Sequence, residues 1–155
     1  MVYAMPPVLD SYRKAQSRLG LPQFEKLQNI FQFEIEEQDD IHDVRNEISN
    51  RLFDFTERVI EPILWGSHNS SMIEREMLVE MDVYNLFEAY KEIQSLRWRN
   101  NLLTIKANET STMEWIRDMW KFWRDFEPLT EKLSVKFSNG WKNLKFKEVA
   151  TEYQG

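Results

Sequence analysis

A chain of 155 residues with 42% hydrophobic and 30% charged residues is long enough to bury a core, and it predicts one soluble globular domain over residues 1–155. A formal net charge of −6 argues against nucleic-acid phosphate as the main partner, because phosphate binding needs a cationic surface. With no cysteine there is no disulfide, thiolate metal site or cysteine nucleophile, and four scattered glycines cannot build a phosphate-binding loop.

Few glycines and prolines, with long runs rich in Glu, Lys, Arg and Leu, point to an all-α fold. The chain opens without a basic segment followed by an apolar core, and it has no run of about 18 apolar residues. The expectation is a cytoplasmic protein with no membrane span.

Residues 1–8 contain Pro6-Pro7 and read as an extended arm. A short helix is expected from Leu9 to Leu19, stopped by Gly20. Phe24, Leu27, Phe31 and Ile35 recur at helical spacing and predict a helix over 22–36, although Phe31, Phe33 and Ile35 also alternate as a strand would. Residues Glu34 to Asp43 carry six carboxylates and no Lys or Arg, and Asp39 or Asp40 is the natural cap of the next helix.

That helix, over 40–65, has the stripe Ile41, Val44, Ile48, Leu52, Phe55, Val59 and Ile63, with charged residues opposite and Gly66 as its stop. Phe53, Ile60 and Leu64 form a second stripe, which implies a second neighbour. Ser71 with Glu74, and Ser111 with Glu114, have the spacing of capping boxes. They predict helices over 71–100 and 111–138, the latter stopping near Asn139-Gly140. Residues 141–155 read as a docked or flexible tail. Short loops between long helices predict an up-and-down antiparallel four-helix bundle with extra terminal segments.

The 111–138 segment is the most apolar. Met113, Ile116, Trp120 and Trp123 make one stripe, and Trp115, Met119, Phe122, Phe126, Leu133 and Phe137 an adjoining one. Together they span roughly 200°, more than a one-sided surface helix needs. Trp115, Trp123, Phe53 and Ile60 are therefore candidate interface residues.

Chemistry is thinly signalled. In outline the bundle resembles carboxylate-bridged dimetal proteins, but those need two Glu-x-x-His pairs. The chain has two histidines, with Asp39-x-x-His42 at a helix start and His68 in a loop. All-helical nucleotide pyrophosphohydrolases carry Glu-Glu-x-x-Glu on one helix and Glu-x-x-Asp on another. Glu36-Glu37 followed by Gln38-Asp39-Asp40 resembles the first half, and Glu47, with Asn50 three residues on, does not supply the second.

Glu76 and Glu80 fall within the apolar arc of a continuous helix over 71–100, so they are the candidate metal ligands; the plainer reading pairs them with a neighbouring arginine. Lys132, Lys136, Lys142, Lys145 and Lys147, with Trp141 and Phe146 interleaved, suit either single-stranded nucleic acid or an acidic surface. The class expected is a protein-interaction or self-associating scaffold module, a homo-oligomer or the partner of another protein, with no cofactor. The alternative is a Mg- or Mn-assisted phosphohydrolase-like or small-ligand-binding bundle.

Overall fold

The structure is a computed structural model that describes residues 5–66 and 68–146. Part of the expected arm, and the tail beyond Phe146 with Lys147, lie outside the described residues. The chain is all-α, and the described residues contain no strand. The elements are α1 (Pro7–Leu19), α2 (Phe24–Phe31), α3 (Ile41–Phe55), a π turn (Thr56–Ile60), α4 (Glu61–Trp65), α5 (Asn69–Glu76), α6 (Glu80–Ile105) and α7 (Glu109–Asn143).

Local chemistry explains the starts and stops. Pro7 occupies the first turn of α1, where a missing N–H costs nothing, so Pro7 and Val8 belong to a helix and not to an arm. Gly20 ends α1 in the left-handed region at φ 68°, which only glycine adopts without strain. Gln32 ends α2 the same way at φ 50°, so residues 33–36 are neither helix nor strand. Asp40 caps α3 by accepting from the N–H groups of His42 and Asp43, and Asp43 accepts in return from the Asp40 N–H at 2.9 Å.

Three long segments form the bundle. His42 meets Thr112 and Phe55 meets Phe126, so α3 and α7 run parallel. Glu61 meets Tyr90 and Glu57 meets Arg97, so α6 runs opposite to the segment from α3 to α4. Asp82 meets Lys136 and Leu96 meets Trp115, so α6 also runs opposite to α7. The order is up, down, up. The space expected for one N-terminal helix is filled by α1 and α2, held together by a 2.6 Å bond from the buried Tyr12 hydroxyl to the Pro22 carbonyl.

The π turn changes which residues are inside. It adds a residue to one turn, so the buried face passes from Leu52 to Thr56 and then Ile60, while Val59 turns outward at 40% exposed. Pro62 supplies a reason: in a regular α-helix its ring would clash with the carbonyl four residues back, that of Arg58, and a wider turn opens that space. Ile60, expected on a side stripe, is core. The helix over 71–100 is likewise interrupted, at residues 77–79, and α6 continues through Leu102 to Ile105.

Neither expected capping box forms. Ser71 lies inside α5, and Ser111 lies inside α7, whose cap is Asn108 accepting from the Ser111 N–H at 2.8 Å. α7 passes through Pro128 and Gly140 without stopping, so Trp141 is part of its last turn and not of a tail. Gly140 is a packing residue: a Cβ there would meet the Met77 sulfur at 2.4 Å.

Candidate functional site

The joint between α5 and α6 positions the most unusual side chain. Arg75 donates to the carbonyls of Ile63 at 3.1 Å and Leu64 at 2.9 Å, tying α5 to the end of α4. Met77 sits against Gly140. The chain then restarts as α6, with the Asp82 carboxylate accepting from the Val79 N–H at 3.2 Å. Asp82 is fully buried and also accepts from Lys132 at 3.0 Å and from Lys136. The bond from Lys136 is the largest influence on it; against the cost of burial, it and Lys132 hold the Asp82 pKa down at about 2, from an ordinary 3.8.

The interruption moves the predicted ligands. Glu76 and Glu80 are exposed, because the turn between them takes both out of the arc a continuous helix would have given them. The buried acid at this joint is Asp82. Among the described residues no three histidines or acids come together to hold a metal ion.

The acidic stretch satisfies itself. Asp39 accepts from the Glu36 N–H at 2.7 Å, Gln38 donates to Glu36, and Asp40 caps α3. His42 is bonded through Nδ1 to the Thr112 hydroxyl at 3.0 Å, and His68 precedes α5 without a side-chain cap bond. In the basic segment, Lys132 and Lys136 are committed to Asp82, and Trp141 donates to Glu74 at 3.0 Å.

Of the candidate interface residues, Trp115 is enclosed in the protomer, its indole N–H donating to the Leu96 carbonyl at 2.9 Å, and Ile60 is enclosed with it. Neither offers surface to a second copy. Trp123 is half-buried, edge-on to Phe31 and Phe126, and Phe53 is half-buried under the Arg97 guanidinium.

A second buried charge lies between α3 and α7. Arg45 is 2% exposed, with a long 3.5 Å contact to the Thr112 hydroxyl and a 3.2 Å bond to Asn46. Its Nε has no partner among the described residues. Burial lowers its pKa, against the opposing pull of Asp40.

The exposed apolar surface is concentrated on α6. At 100° per residue, Tyr84, Phe87, Trp98, Leu102 and Ile105 lie opposite the inward residues Leu86, Ile93, Leu96 and Leu103. Trp98 is 72% exposed and Ile105 80%. Near the start of α6, Trp65 stands edge-on to Phe87 and Tyr90, and together with Leu64, Leu78, Val83 and Tyr84 it lines a groove of about 530 Å³. The signal that finds this surface is the spacing of Trp98, Leu102 and Ile105, once α6 is carried past Asn101.

No helix among the described residues is long and apolar enough to cross a membrane. No family model, no curated protein and no solved structure matches this chain.

Proposed function

We propose that the protein is a self-associating interaction module. The observation that carries this reading is the outer face of α6, where large apolar side chains stand in solvent on the side away from the core. Scattered exposed apolar residues are ordinary, but several gathered on one helix face mark a surface that another protein covers. A second copy is the partner chosen because homo-oligomers with two-fold symmetry are the commonest assemblies.

Sedimentation equilibrium tests the proposal directly. The expected result is a dimer or larger species at micromolar concentration; a monomer up to about 100 µM, where any association stronger than about −5.5 kcal/mol would be visible, overturns it. In the same samples, Mg²⁺ or Mn²⁺ is expected to leave the melting temperature unmoved, because no native-state ligand effect arises without a site.

A further inference from the structure

The outer face of α6 carries two patches of different shape and charge. Near its start, Tyr84 and Phe87 border the groove that Trp65 closes, and the charged residues lining it are Glu80 and Arg75, the latter donating to the Ile63 and Leu64 carbonyls. Near its end, Trp98, Leu102 and Ile105 form a ridge, and no acid occurs between Ile93 and Asn108, whereas Arg97, Arg99 and Lys106 do. Arg97 and Arg99 hold Glu57 and Asp118. Glu80 and Lys106 have no ion pair of their own among the described residues.

We infer that two copies pair through α6 in antiparallel fashion, the ridge of each seated on the groove of the other. This rests on the self-association reading and names the surface that performs it. A crossing point between Lys91 and Ser95 brings Tyr84 level with Leu102 of the second copy, and Glu80 level with its Lys106. Both patches are then covered twice by one symmetric contact.

A parallel pair would set ridge on ridge, leave both grooves empty and bring Lys106 level with Lys106 and Glu80 level with Glu80, which like-charge repulsion opposes. The crossing itself is suited to close approach. Ser95 is small, and the Lys91 ammonium is already neutralised by Glu88 at 3.0 Å and lies over the Phe87 ring.

Because the chain has no cysteine, single introduced cysteines report the geometry without background. Tyr84 and Leu102 are both well exposed and lie in one direction on α6, five full turns apart, and the antiparallel pair puts them opposite each other across the contact. Within one α6 they are about 27 Å apart at 1.5 Å per residue, and a disulfide needs Cα atoms within about 7 Å.

Tyr84→Cys protein mixed with Leu102→Cys protein is expected to form a disulfide-linked dimer under mild oxidation, and neither protein alone is. Cross-linking of each variant with itself, and not with the other, overturns the antiparallel arrangement. Leu102→Glu, at a position already exposed and with folding checked by circular dichroism, is expected to weaken the dimer at least about tenfold, or 1.4 kcal/mol. Glu80→Lys and Lys106→Glu are each expected to weaken it less, and the double variant to restore it.

An undiminished dimer in Leu102→Glu overturns the α6 contact while leaving self-association standing. A monomeric wild-type protein overturns both.

Discussion

Among the described residues two charges are buried, and they are handled in opposite ways. Asp82, at the start of α6, accepts from two lysines brought from 50 and 54 residues away and from a backbone N–H. Arg45, between α3 and α7, meets only neutral oxygens and leaves one nitrogen without a partner among the described residues. The first arrangement fixes where α6 begins and which turn of α7 it lies against. The second costs desolvation that the pull of Asp40, which makes no bond to it, only partly offsets. Paired burial of this kind therefore specifies a contact, while unpaired burial weakens one.

The sharpest test removes the lysines and leaves the acid. Lys132→Met with Lys136→Met strands a buried carboxylate and is expected to cost about 3 kcal/mol in urea denaturation, the usual cost of breaking a buried pair from one side. A cost under about 1 kcal/mol would show that Asp82 is not held by these cations.

Removing the acid is expected to cost less. After Asp82→Asn the lysines, whose side chains are 58% and 34% exposed, return to water, and the amide oxygen can still accept from Val79. The expected loss is about 1.5–2 kcal/mol, that of a hydrogen bond to a charged group. If Asp82→Asn were the worse variant, the asymmetry argued here would be reversed.

The pH dependence follows from the direction of the shift. The folded-state pKa of Asp82 lies below its ordinary value of 3.8, at about 2. Its contribution is therefore fully present above about pH 4 and is lost as pH falls toward 2. Melting curves of the wild type and Asp82→Asn should differ by a constant amount from pH 7 to about pH 4 and converge below that.

Arg45→Met is the smallest effect expected and has the opposite sign. A flexible apolar side chain of similar length removes a buried charge that has no ion-pair partner in contact, and stability should rise by about 1 kcal/mol. A loss of that size would mean that the contacts to Thr112 and Asn46 outweigh desolvation.

The sequence signals for these features were uneven. Asp40 and Asp43 lie three residues apart before a regular apolar stripe, and the capping box they predict forms as expected. Gly20 ends α1 for a reason visible in one residue. Asp82 was missed because it is flanked by Met81 and Val83 inside an otherwise regular helical pattern. Its trace was on the other helix: Lys132 and Lys136, one turn apart with no acid between them, were a charge surplus awaiting a partner. Glu76 and Glu80 would lie inside only if one continuous helix ran over 71–100, and the break at 77–79 leaves both exposed.

The break at residues 77–79 carries no proline or glycine. It arises from Arg75 reaching the carbonyls of α4 and from Met77 seating against Gly140, contacts between residues far apart in the chain.

By itself the sequence determined the helical class, the long helices in outline, the Asp40–Asp43 cap of α3 and the Gly20 stop of α1, because those follow from spacing and short-range hydrogen bonding. The tertiary structure decided the rest. The π turn before Pro62 moved the core face from Val59 to Ile60, and packing enclosed Trp115. The burial of one face of α6 left Tyr84, Phe87, Trp98, Leu102 and Ile105 outside. Which apolar stripe faces inward is settled by the neighbours that cover it, and those neighbours are set by contacts that no local window of residues contains.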